Sequence, residues 1–160
     1  MSEALASVAD VMTSASAVVH EFWRLMATND FASVAGVLAP TFVLEWPQSN
    51  ERIRGPERFV TMNAEYPAHG PWRFTINRVV GDEGEVATDV SVTDGVQHAR
   101  AISFFTVADG RITRLVEYWP EPFAARADRA HLAEPIECAA TQRGQLILRS
   151  TWGSPAGEAV

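Results

Sequence analysis

What most restricts this chain is a run of four β-rich segments, residues 72–80, 85–93, 96–108 and 111–119, parted by very short turns that carry glycine. Each segment is dense in β-branched and aromatic side chains, which pack well on a pleated backbone. Asp94-Gly95 and Asp109-Gly110 suit two-residue hairpins, and Asp82-Glu83-Gly84 reads as a three-residue turn with glycine in the left-handed position. Connections this short cannot hold a crossover helix, so the four segments form one antiparallel meander.

Upstream, Leu5, Val8, Met12, Ala15, Val19, Phe22 and Met26 recur every three or four residues, one stripe of a helix with a break near Ser14. Asn29 and Asp30 end it and cap a second short helix with Phe31, Val34 and Leu38, which Pro40 closes. Residues 42–46 read as a strand ending at Pro47. Gly55-Pro56 then opens a third helix whose inner face carries Phe59, Met62, Asn63 and Tyr66. Past Pro120 and Pro122 the chain leaves the sheet, with a short helix expected over 124–133 and a strand over 145–152. The predicted class is α+β: N-terminal helices packed over a curved antiparallel sheet, with residues 1–123 as the domain and 124–160 as a C-terminal extension.

A chain of 160 residues, 47% apolar and 21% charged, has the make-up of one globular domain. A net charge of −7 with scattered basic residues argues against a nucleic acid partner. No apolar run approaches a bilayer span, and Glu3 and Asp10 do not fit a secretion signal, so no membrane segment is expected. Cys138 is the only cysteine, which excludes an intrachain disulfide and fits a reducing cytoplasm. His20, His69, His98 and His131 sit at no metal-ligand spacing, and nucleotide-binding glycine loops and G-x-S-x-G are absent. Neither a metal nor a cofactor is expected.

Hairpin turns fix which residues face each other. Thr93 opposite Val96 sets Ser91 opposite His98 and Asp89 opposite Arg100. Ala108 opposite Arg111 sets Trp119 opposite Arg100, Glu117 opposite Ile102 and Leu115 opposite Phe104. Gly81 opposite Glu85 adds Asn77 beside Asp89 and Thr75 beside Ser91. One face thus carries Asn77, Asp89, Ser91, His98, Arg100, Glu117 and Trp119, grading into Ile102, Phe104 and Leu115. The other carries Phe74, Ile76, Val80, Val86, Val90, Val92, Ala99, Ala101, Phe105, Val116 and Tyr118. Two arrangements follow. Either the polar face is wet, with Asp89–Arg100 a surface ion pair and the apolar face on the helices, or it lines a pocket under the helices and the apolar face packs on a second subunit or on the tail. A buried Arg100 is tolerable only when compensated by Asp89 and Glu117.

The order of helix pair, short strand, third helix and meander resembles the nuclear transport factor 2-like superfamily. The stretches VVHEFWRLMATNDFASVAGVLAPTFVLEWP, RGPERFV and ISFFTVADGRITRLVEYWPEPF are similar to its SnoaL-like branch, whose relatives include polyketide cyclases, limonene-type epoxide hydrolases and ketosteroid isomerases. The resemblance, over about residues 18–123, implies a cone-shaped α+β fold. In the cyclase and epoxide-hydrolase branches a carboxylate in the last strand, shortly after a Gly-[Lys/Arg]-Ile turn, points into the pocket and moves a proton. Glu117 matches that position. The epoxide-hydrolase pattern of Arg and Asp two residues apart is not reproduced, since Asp89 and Ser91 stand there with Arg100 on the next strand. Val43 and Glu45 replace that pattern's tyrosine and asparagine.

The candidate catalytic residues are therefore Glu117, Asp89 and Arg100, in an isomerase, cyclase or lyase acting on a hydrophobic small molecule by proton transfer. The pocket-lining candidates are Glu45, Trp46, Asn63, Tyr66, Asn77, His98, Ile102, Phe104, Leu115 and Trp119. A ligand-binding or scaffolding domain is the alternative, and an epoxide hydrolase a second one. A homodimer through the apolar sheet face is expected.

Overall fold

The computed structural model describes residues 14–136; Leu5, Val8, Met12, Cys138 and the strand expected over 145–152 lie outside the described residues. Helix α1 (Ala15–Ala27) begins where Ser14 caps it, the Ser14 hydroxyl accepting the Ala17 N–H at 3.2 Å. Its Val18, Val19, Phe22, Trp23 and Met26 are buried, as the three-and-four spacing requires. Burying a side chain such as Phe22 contributes about 1.5–3 kcal/mol, and Phe22 meets Trp23, Phe59 and Phe105 with ring centroids 5.1, 5.9 and 5.2 Å away. The helix is tied off by Asn29, whose side-chain oxygen accepts the Trp72 N–H at 2.7 Å while its amide donates to the Trp72 carbonyl at 2.9 Å.

Helix α2 (Phe31–Val34) runs into a 3₁₀ turn (Ala35–Val37), and β1 (Leu38–Trp46) follows at once. Leu38 and Pro40, expected in and just past the second helix, are thus in a strand; the β1–β6 register shifts between Leu38 and Val43, the irregularity that lets a proline sit there. Strand β2 (Glu51–Arg54) was not expected. Its charged Glu-Arg-Ile-Arg sequence has no apolar alternation, and only Ile53 packs on the core. Gly55, at φ 87°, turns the chain into α3 (Pro56–Glu65), which starts on proline.

The meander follows as β3 (Arg73–Asp82), β4 (Glu85–Thr93), β5 (His98–Ala108) and β6 (Arg111–Tyr118). The six-stranded sheet is curved and unclosed, in the order β2-β1-β6-β5-β4-β3. Every pairing is antiparallel except β1–β6, where the last strand docks parallel on the free edge of the first hairpin. The class is α+β, as the sequence implied, with a mixed sheet in place of a wholly antiparallel one. Helix α1 packs on β3, β4 and β5, and α3 on β1 and β2, so both lie on the same core face.

The chain divides into two compact units, Met1–Pro120 and Glu121–Val160. In the second, the expected helix over 124–133 is reduced to a 3₁₀ turn (Ala127–Arg129), beside an ion pair of Arg126 and Asp128.

Candidate active site

Three strand registers differ from those expected of the hairpins, and between them they decide which side chains meet. The β4–β5 loop is four residues long, pairing Thr93 with His98 instead of Val96. Its cause is Asp94, whose fully buried carboxylate accepts the N–H groups of His69, Val96 and Gln97 at 2.8, 2.9 and 2.6 Å and so pulls the loop open. The slip is two residues, so every side chain keeps its face. Between β3 and β4 only Glu83 and Gly84 turn the chain, both with positive φ, and a bulge at Asn77 then restores the expected Thr75–Ser91 pairing.

The third change has larger consequences. Asp109-Gly110 makes the expected two-residue turn, but Thr113 is a bulge: Val107 pairs with Ile112 and Thr106 with Arg114. One inserted residue inverts the rest of β6, so Glu117 stands opposite Ser103, not Ile102, and faces the helices. Val116 and Tyr118 turn outward, opposite Phe104 and Ile102.

Glu117 is 6% exposed. Trp46 Nε1 donates to its Oε2 at 3.1 Å and Ser103 Oγ donates to its Oε1 at 3.2 Å. Burial pushes the carboxyl above its usual range, and the bonds from Trp46 and Ser103 oppose that shift without cancelling it. Among the described residues no ion pair involves Glu117. Gln48 holds Trp119 in place, its side-chain oxygen accepting the Trp119 N–H at 2.6 Å. Leu44 and Leu115 are fully buried on this face, and Trp46, Ile53, Met62, Tyr66 and Trp119 are half-buried against the same core. Tyr66 packs edge-on to Trp72 at 6.0 Å, and burial raises its hydroxyl pKa to about 12.

Asp89 and Arg100 do not join this site. They sit on the outer face, where the Arg100 guanidinium makes a two-pronged ion pair to Asp89, with Nε to Oδ1 at 2.6 Å. Arg100 faces Ser91 in register and reaches Asp89 diagonally, so the pair forms despite the slipped turn. Asn77 bonds Ser91 at 2.8 Å on the same side. Of the polar cluster drawn from the hairpins, Asn77, Asp89, Ser91 and Arg100 are together and wet. Glu117 is behind the sheet. The face expected to meet a second subunit is instead the core face: Phe74, Val86, Val90, Val92, Ala101 and Phe105 pack under the helices.

The remaining candidates divide likewise. Trp46, Leu115 and Trp119 are on the inner side with Glu117. Ile102, Phe104 and His98 are on the outer one, as is Glu45, bonded by Arg52 Nε at 2.9 Å and Arg114 Nε at 3.0 Å, which lowers its carboxyl pKa. Asn63 donates to the Phe59 carbonyl at 2.9 Å within α3. An open groove of about 550 Å³ runs between α3 and β2, lined by Arg52, Arg58, Met62 and Tyr66 among others. Sequence reasoning passed over Ser103 and Gln48. Ser103 could have been found as the one hydroxyl alternating with Ala101 and Phe105 on a buried face. Among the described residues no group of three or more His, Cys, Asp or Glu could hold a metal ion, and no helix is long and apolar enough to cross a membrane.

Residues 19–115 match the SnoaL-like domain family. Among solved structures, the chain is 30% identical to a candidate ketosteroid isomerase from Kribbella flavida DSM 17836, covering 76% of this chain and 89% of that one with a TM-score of 0.70. An LEH-like epoxide hydrolase from M. tuberculosis is 26% identical over 64% of this chain and 80% of its own, with a TM-score of 0.54. An NTF-2 like protein of unknown function from Burkholderia xenovorans LB400 shares the fold at 22% identity, 75% and 93% coverage and a TM-score of 0.63. No curated protein matches the sequence.

Proposed function

This chain belongs to the SnoaL-like domain family, and we propose that within it the protein is a small-molecule isomerase, cyclase or lyase in which Glu117 moves a proton, with no cofactor required. The observation that carries this reading is the buried Glu117 carboxyl, raised in pKa by its surroundings and ringed by Trp46, Trp119 and Leu115 without a cationic partner among the described residues. A carboxyl whose pKa burial raises toward neutrality gives and takes a proton more readily there than an ordinary surface glutamate does. Its apolar surroundings favour a hydrophobic substrate. Of the similar solved structures, one at 30% identity is named as a candidate ketosteroid isomerase and another at 26% as an LEH-like epoxide hydrolase.

The chemistry is a proton taken from an activated C–H by ionised Glu117 and returned at another atom, or a proton given by neutral Glu117 to a departing or opening oxygen. Asp89 and Arg100, on the far side of the sheet, have no part in it. A panel of ketones with acidic C–H groups, incubated in heavy water, should take up deuterium in the presence of the protein and not of Glu117→Gln. Binding without exchange by either protein marks a ligand-binding domain instead, and with an epoxide added in oxygen-labelled water, opening of its ring to a diol carrying the label marks an epoxide hydrolase. We also assign a homodimer contact to the outer sheet face, where Phe104 and Tyr118 stack edge-on at 6.2 Å while 47% and 38% exposed.

A further inference from the structure

Across the inner face of β4, β5 and β6, Thr88, Ser103 and Glu117 stand directly opposite one another in register. They are 3, 0 and 6% exposed, a polar row inside an apolar surface. An indole closes each end: Trp23 Nε1 donates to Thr88 Oγ1 at 3.2 Å and Trp46 Nε1 donates to Glu117 Oε2 at 3.1 Å. Ser103 lies between, its Oγ 3.2 Å from Glu117 Oε1.

The two neighbours of the carboxyl differ in kind. An indole N–H can only donate, whereas a serine hydroxyl both donates and accepts. When Glu117 is ionised, both of its oxygens act as acceptors and both neighbours donate. When it is protonated, its hydroxyl oxygen is the poorer acceptor, so the oxygen facing Trp46 stays the carbonyl and the proton falls on the other. We infer that Ser103 is the positioning residue of this site: it donates to Oε1 of the ionised carboxylate, turns to accept from Oε1 of the neutral acid, and thereby fixes the exchangeable proton on Oε1. Thr88, next in the row, already accepts from Trp23 and has a second lone pair for the Ser103 hydroxyl once it turns. The assignment of Oε1 as the working oxygen rests on the reading of Glu117 as the acid–base group; the role of Ser103 in setting its proton affinity does not.

Infrared spectra of protein carrying ¹³C-labelled glutamate, with Glu117→Gln subtracted, isolate the Glu117 carboxyl and carboxylate bands across pH. Ser103→Ala removes a donor to the charged form and should raise the Glu117 midpoint by about one to two pH units, whereas Ser103→Thr keeps a hydroxyl there and should restore the parent midpoint. Trp46→Phe should move the protonated C=O band to higher frequency, because its hydrogen bond is lost. An unmoved midpoint in Ser103→Ala, or an equal shift in Ser103→Thr, overturns the role of Ser103. An unmoved C=O band in Trp46→Phe overturns the placement of the proton. If these shifts appear but Glu117→Gln still exchanges deuterium at the parent rate, the acid–base reading falls and the tuning by Ser103 stands.

Discussion

Replacing Glu117 by glutamine should change how stability depends on pH more than it changes stability itself. The side chains have nearly the same shape, and Ser103 can turn to accept from the new amide while Trp46 still donates to its oxygen. Burial holds the folded carboxyl above its ordinary value of 4.5. Below 4.5 the folded and unfolded chains both carry the proton, and the group is neutral in each. As pH rises past 4.5 the unfolded chain ionises first, so the parent protein loses about 1.4 kcal/mol per pH unit relative to the variant until the folded carboxyl also ionises, after which the gap is constant. For a chain of this length that is about 3–5 °C in melting temperature per unit. Urea unfolding of both proteins at half-unit steps from pH 4 to 9, taken as a difference, cancels every other titrating group. Parallel curves would refute the claim that burial holds the folded Glu117 carboxyl above its ordinary pKa. A gap that shrinks with rising pH would mean that the hydrogen-bond donors outweigh burial.

Asp94→Ala should cost about 1–3 kcal/mol by orphaning the backbone donors of His69, Val96 and Gln97, measured by chemical unfolding at pH 7. Desolvation alone would raise the Asp94 carboxyl, but those donors hold it well below the usual range; its contribution is therefore present above 3.8, and parent and variant should converge in stability as pH falls below that. Gly81→Ala should cost about 1–3 kcal/mol, because φ is 142° there and a Cβ would lie 2.2 Å from the Glu85 carbonyl oxygen; thermal melting checks it. Arg100→Gln should change stability by at most about 1 kcal/mol and leave deuterium exchange untouched, since its partner Asp89 is on the wet face. Phe104→Lys on the outer face should shift light scattering from dimer to monomer while the far-ultraviolet circular dichroism stays that of the parent.

The architecture was legible because its signals are local. The stripe of α1, the proline opening α3 and the β-rich segments each act within a few residues. Strand β2 was not legible, because Glu51–Arg54 pairs along β1 without burying a face of its own. The site was half legible. Glu117 could be picked out, but its neighbours depended on the Thr113 bulge, which no turn motif announces. A trace of it is present nonetheless: Ile112 and Leu115 are both fully buried yet three residues apart, an odd spacing that a regular strand cannot place on one side. Asn77 leaves the same trace in β3, where Phe74 and Val79 both pack on the core although an odd five residues apart. The β4–β5 loop misled for another reason. A two-residue turn leaves Asp94 in solvent, and the gain from burying its carboxylate among backbone donors favoured a wider loop.

The extra residue at Thr113 makes the last strand a switch of parity. Removing that single residue would leave the turn, the hairpin and most contacts of β6 near Arg111 intact, yet from that point on it would exchange inside for outside: Tyr118 would enter the core and the acid would be expelled into water. Point substitutions along β6 alter one side chain at a time, whereas a one-codon deletion would carry the buried carboxyl to the opposite side of a wall one sheet thick.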